Sequence, residues 1–182
     1  MNDTRIQGWI DELHDTSGQQ WSLRLVAVIA PVGAMASVAV EIGSWWPFGL
    51  AVVAVLAVAS AFRPDSHTAL AVIAVVGWHW LAVVERIDTV WLPIAACCLL
   101  VHHSLIALTA TFPVGGVVPA ATLVQWSLRT ALVAAMTVAM WALVVLLDRR
   151  EAAGNALLTA LALAIMAAGA VAIRSRSLDE SG

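Results

Sequence analysis

The chain has 182 residues, of which 62% are hydrophobic and 12% charged, and its mean hydropathy is +0.91. About a quarter of a soluble domain is charged, so this chain lacks the polar surface to cover itself in water and reads as an integral membrane protein. A formal charge of -3 and a pI near 5.9 argue against a nucleic-acid partner, which needs a basic face.

All nine basic residues are arginine, tyrosine is absent and tryptophan reaches nine. With the excess of Ala and Val, this bias points to a high-GC bacterial genome and an inner-membrane protein. Cys97 and Cys98 are neighbours in an apolar run, so neither a disulfide framework nor zinc-finger spacing is expected.

In chain order, MNDTRIQGWIDELHDTSGQQ precedes the first apolar run. No cleavable signal is expected, because such a signal joins a basic start directly to its apolar stretch. Ile6, Trp9, Ile10 and Leu13 recur at helical spacing behind Thr4-x-x-Gln7, a capping-box pattern that predicts a short amphipathic helix. Its acidic face, with Asp11, Glu12 and Asp15, suits a protein surface better than anionic lipid. The alternative is a frayed tail.

Six apolar spans follow: Arg24 to Ile42, Phe48 to Phe62, His67 to Val84, Val90 to Thr111, Pro119 to Leu147, and Asn155 to Ile173. Breaks at Gly43 to Pro47, Arg63-Pro64-Asp65, Glu85 to Asp88, residues 112–119 and Asp148 to Glu151 separate them. A crossing needs about 20 residues to span roughly 30 Å of hydrocarbon. The second span is short, and a re-entrant hairpin with the third would reduce the count to four. The expected fold is therefore all-α, a polytopic transmembrane bundle of about six spans. Residues 1–22 form a cytoplasmic amphipathic tail, residues 23–174 the membrane domain and residues 175–182 a second cytoplasmic tail.

Arg5, Arg24, Arg63, Arg129, Arg174 and Arg176 fall on the N-terminal side of such a bundle, against Arg86, Arg149 and Arg150 on the other. The positive-inside rule then places both termini in the cytoplasm. Trp45, Trp46, Trp78, Trp80, Trp91 and Trp141 gather toward the outer ends, and Trp9, Trp21 and Trp126 toward the inner ones, as expected of aromatic belts.

Small residues supply the packing signals. Ala156, Ala160, Ala164, Ala168 and Ala172 repeat every four residues in the last span, and Ala131, Ala135 and Ala139 do so in the fifth. Such stripes let helix backbones approach closely in lipid, so these two spans are expected to pack together. Gly33-x-x-x-Ser37 and Ala30-x-x-x-Ala34, around Pro31, give the first span a weaker face of this kind.

Chemical motifs are sparse, and no catalytic residue or cofactor is expected. The uncharged segment 112–119 is either an interfacial docking loop or a plain Gly-Gly turn. The intramembrane polar residues are His79, His102 and His103. Counting from the outer ends, His79 lies about 9 Å deep and His102 about 17 Å, a mismatch that argues against their sharing a haem. Cys98 and His102, at i and i+4, form a two-ligand hint of copper or zinc, but two ligands do not make a site. The main expectation is neutral histidines hydrogen-bonding between helices. His103 is taken as the buried ring, since Ala107 leaves room on its face, and His102 as the freer one.

The run His102-His103-Ser104-Leu105-Ile106-Ala107-Leu108-Thr109-Ala110-Thr111-Phe112-Pro113, followed by Pro119, Trp126 and Arg129, resembles uncharacterised small membrane proteins encoded beside MoxR-type ATPases and DUF58 proteins in high-GC bacteria. That resemblance implies a non-enzymatic accessory subunit of an envelope-associated complex, with the bilayer and a membrane or cytoplasmic protein as partners. Two other classes stay open. Six helices and the Ala30-x-x-x-Ala34 contact also resemble the substrate-binding membrane component of energy-coupling-factor vitamin transporters. A haem or quinone-binding respiratory anchor is the other.

Overall fold

The computed structural model describes residues 17–64, 67–113 and 115–148. Among them are five helices and no strand: α1 (Gly18–Ile42), α2 (Pro47–Phe62), α3 (Thr68–Val83), α4 (Trp91–Ala110) and α5 (Ala120–Asp148). The expected amphipathic helix near residues 6–13 and the sixth span with Ala156, Ala160, Ala164, Ala168 and Ala172 lie outside the described residues. Two compact units divide the chain, Met1–Ala134 and Ala135–Gly182, so α1 to α4 and the first half of α5 belong to the first.

The helix ends follow from local chemistry. α1 starts at Gly18 rather than Arg24, so residues 18–22, read as tail from the sequence, are helical. Ser17 is the reason: in extended backbone (φ -63°, ψ 148°) its Oγ accepts the Gln20 N–H at 3.3 Å, satisfying one of the free donors of the first turn. Gly43 closes α1 in the left-handed region at φ 68°, where a Cβ is strained. α2 opens on Pro47, whose fixed φ suits a first helical position. It ends at Phe62, with Arg63 preceding Pro64 and so turned away from helical backbone.

Three helices, α1, α4 and α5, are long and apolar enough to cross a membrane. α2 and α3 have 16 residues each, about 24 Å at roughly 1.5 Å per residue, short of a hydrocarbon layer near 30 Å.

α1 and α4 form the most extensive helix pair and run antiparallel. At one end Thr89 donates its hydroxyl to the Glu41 carboxylate and accepts the Trp91 N–H. At the other end the Gln19 amide pairs with Val118, accepting its N–H at 2.8 Å and donating to its carbonyl at 3.2 Å, while Ser17 donates to Gly116 O. Gly116 N–H also bonds Pro113 O at 2.8 Å, so Gly116 and Val118 are held at the start of α1. α2 packs against α1 and α3.

One apolar cluster joins Ala34 and Val38 of α1 to Val53 and Ala57 of α2, Val72, Val76 and Trp80 of α3, and Ala95 of α4. A second takes one residue from each of the four helices: Ala27, Ala61, Ala69 and Ile106. Alanine dominates because close backbone approach, with the dispersion contacts it brings, is what holds helices together in lipid. The face around Pro31 serves this packing: Ala34 and Ser37 are buried, and a Cβ on Gly33 would lie 3.3 Å from Cys98 Sγ. Trp80, read from the sequence as part of an aromatic belt, is instead core, whereas its neighbour Trp78 is exposed. In the loop after α3, Arg86 pairs with Asp88 at 3.0 Å. The hydrogen bond and charge of Asp88, with the charge of Glu41 behind them, raise the Arg86 guanidinium above its ordinary value.

Candidate functional site

Pro31 lies inside α1 and has no N–H to give the carbonyl four residues earlier, which is that of Ala27. An unpaired backbone carbonyl in an apolar interior is costly. α4 supplies the missing donor, since His102 Nδ1 lies 2.7 Å from Ala27 O. A carbonyl only accepts, so Nδ1 carries the proton, and a neutral ring then leaves Nε2 with a lone pair. His102 is 0% exposed, and its Nε2 is buried without a partner.

This corrects the expectation for the two adjacent histidines. His102 is the buried interhelical ring, and His103 is exposed. Neighbours on a helix point about 100° apart, so only one of them can face α1. The α1-facing side of α4 runs Ala95, Cys98, His102, Ile106 and Thr109. On that side Gly33 of α1 admits Cys98, and Ala27 lies against His102.

Cys98 and His102 do share a side of α4, as their spacing requires, yet they serve different contacts: Cys98 faces Gly33, and His102 faces Ala27. Among the described residues no group of three or more His, Cys, Asp or Glu side chains could hold a metal ion. His79 is nine-tenths buried and lies against Trp46, with ring centroids 4.6 Å apart at 38°. Trp46 follows the C-terminal end of α1, whereas Ala27 is about 22 Å back along that helix at roughly 1.5 Å per residue. His79 and His102 therefore do not meet at one site.

A groove of about 390 Å³ opens within the first unit. Leu23 and Val26 of α1, Val101, Ser104, Leu105 and Leu108 of α4, and Leu123, Trp126, Ser127, Thr130, Ala131 and Ala134 of α5 line it. It adjoins the alanine cluster, since Leu105 both lines the groove and packs against Ala27, Ala61, Ala69 and Ile106. Its chemistry is that of an apolar ligand site: mostly aliphatic wall, one indole and three hydroxyls that could fix an orientation. The sequence reading missed it, since none of its residues forms a motif and the groove exists only where α5 stands off α1 and α4. It also missed Gln20 and Arg24, which are buried on the core-facing side of α1.

Around this geometry the fold defines a class, a helical protein with three helices, among the described residues, long and apolar enough to cross a membrane. No protein-family model matches the chain, and neither a curated protein nor a solved structure does.

Proposed function

We propose that the chain is a non-enzymatic, multi-pass protein of a bacterial inner membrane, with six spans and cytoplasmic termini, acting as an accessory or partner subunit of an envelope-associated complex. The observation that carries this reading is α5. It is a helix of 29 residues, of whose most apolar stretch only 6% is buried, and its small-residue stripe Ala131, Ala135 and Ala139 is exposed throughout. Lipid gains little from such a stripe, whereas a second helix, a partner's or the chain's own sixth span, gains close backbone contact. The resemblance to small membrane proteins encoded beside MoxR-type ATPases supports the same reading and suggests the kind of complex.

The test is purification of the tagged chain in mild detergent at native expression level, followed by mass spectrometry. A stoichiometric protein partner is expected with the wild type and with Leu128→Phe, and its loss with Ala135→Phe. A chain that purifies alone in all three cases overturns the reading. A second reading, the small-molecule-binding membrane component of a transporter, is favoured by one observation, the groove of about 390 Å³ with its three hydroxyls. A bound organic molecule lost on Ser104→Leu would support it.

A further inference from the structure

Arg24 is 7% exposed and Gln20 is 0% exposed. Four residues apart, they occupy the same side of α1 as Ala27 and Pro31. Neither is satisfied: Arg24 Nε and both atoms of the Gln20 amide are buried without a hydrogen-bond partner. Buried polar atoms without partners are costly, the more so on a guanidinium with no acid near it among the described residues.

The described acids of the first unit, Glu41, Glu85 and Asp88, are at the far end of the α1–α4 pair. Glu41 is about 26 Å from Arg24 along the helix at roughly 1.5 Å per residue, and Asp88 adjoins Thr89, which binds Glu41. Among the described residues, the near end carries no acid and several features that favour an anion. It is the N-terminus of a 25-residue helix, where the macrodipole is positive. Side chains on a helix tilt toward its N-terminus, so Gln20 and Arg24 lean toward that same turn. Trp21 and Phe62 meet edge to face beside it, with centroids 6.3 Å apart, and an indole favours the headgroup boundary.

We propose that Gln20 and Arg24 form a binding site for a phosphate group that carries or adjoins a hydroxyl. The phosphate oxygens accept from Arg24 Nε–H and from the Gln20 amide nitrogen, and the hydroxyl donates to the Gln20 amide oxygen. One ligand thus answers all three unpartnered atoms. The headgroup of phosphatidylglycerol has this chemistry, and so does free hydrogen phosphate.

The experiment uses the full chain, delipidated in neutral detergent, and follows thermal unfolding and native mass spectra with three probes: phosphatidylglycerol, phosphatidylcholine and inorganic phosphate. Phosphatidylglycerol should bind as a retained adduct and raise the unfolding midpoint. Arg24→Gln should weaken that binding about tenfold or more, a change of roughly 1.4 kcal/mol. It should also raise the midpoint of the lipid-free protein, because it removes the unpaired charge. Gln20→Leu should weaken binding as well, and Arg129→Gln, at an exposed arginine of α5, should leave it unchanged. Inorganic phosphate acting as strongly as the lipid would assign the site to a soluble phosphate, whereas phosphatidylglycerol acting alone would assign it to the lipid. The proposal fails if neither phosphatidylglycerol nor phosphate shifts the wild type at millimolar concentration, or if Arg24→Gln and Gln20→Leu both retain phosphatidylglycerol as the wild type does.

Discussion

Pro31 and His102 act as one unit, and the first prediction concerns them. His102→Leu removes the α4 donor to the Ala27 carbonyl, so it should destabilise the protein by about 1 kcal/mol, the usual worth of an interhelical hydrogen bond. His103→Leu should be nearly neutral, because its ring is exposed. The coupling to proline makes the claim specific. Pro31→Ala restores a backbone N–H at position 31, which can then bond Ala27 O within α1. In that background His102→Leu should lose most of its effect. A double-mutant cycle in detergent unfolding measures this, and additive losses would mean that His102 stabilises the bundle by packing instead. Half of this unit was legible in the sequence. Helical arithmetic alone identifies Ala27 as the carbonyl that Pro31 orphans. Which histidine answers it was not legible, since the faces of α4 are both apolar and only the docking of α1 distinguishes them.

Within the elements, two glycines that look alike in sequence differ in what surrounds them. Gly49 lies in the first turn of α2 beneath the Trp46 indole, and a Cβ there would be 1.8 Å from Trp46 Cε3. A Cβ on Gly77, within α3, would have nothing within 4 Å beyond its own helix backbone. Gly49→Ala must therefore displace Trp46 from His79, and an expected loss of about 1 to 3 kcal/mol follows from overpacking. Gly77→Ala should be neutral or stabilising by up to about 1 kcal/mol, since alanine is the better helix former. Thermal unfolding of the pair checks this, with the tryptophan emission of Gly49→Ala shifting as the indole leaves its stack. Helix boundaries were legible to within a few residues wherever glycine or proline marked them, as at Gly43 and Pro47. The start of α1 was not, because Ser17-Gly18-Gln19-Gln20 was passed over as tail although Ser17-x-x-Gln20 has a capping spacing.

For the whole molecule, packing distinguishes a crossing by α2 and α3 from a dip into the bilayer and return. Their 16 residues each are short for a crossing. The packing bears on it through the two ends of α2. Trp46 precedes the helix just beyond the C-terminal end of α1, and Phe62 at the other end meets Trp21, in the first turn of α1. A helix of about 24 Å whose flanking side chains approach both ends of a neighbour of about 37 Å runs most of that neighbour's height, and tilt or a locally thinned bilayer absorbs the remaining mismatch at a modest cost. The prediction is a full crossing. In a background carrying Cys97→Ser and Cys98→Ala, single cysteines at Ser44, His67, Glu85 and Gly115, all exposed, are probed with a membrane-impermeant maleimide. Ser44→Cys and Glu85→Cys should label from outside intact cells, and His67→Cys and Gly115→Cys only after the membrane is opened. Failure of His67→Cys to label from either side would make α2 and α3 a re-entrant hairpin. Labelling of Ser44→Cys and Gly115→Cys from the same side would contradict the antiparallel α1–α4 pair itself, because the hydrogen bonds of Glu41 with Thr89 and of Gln19 with Val118 hold those two loops at opposite ends of it.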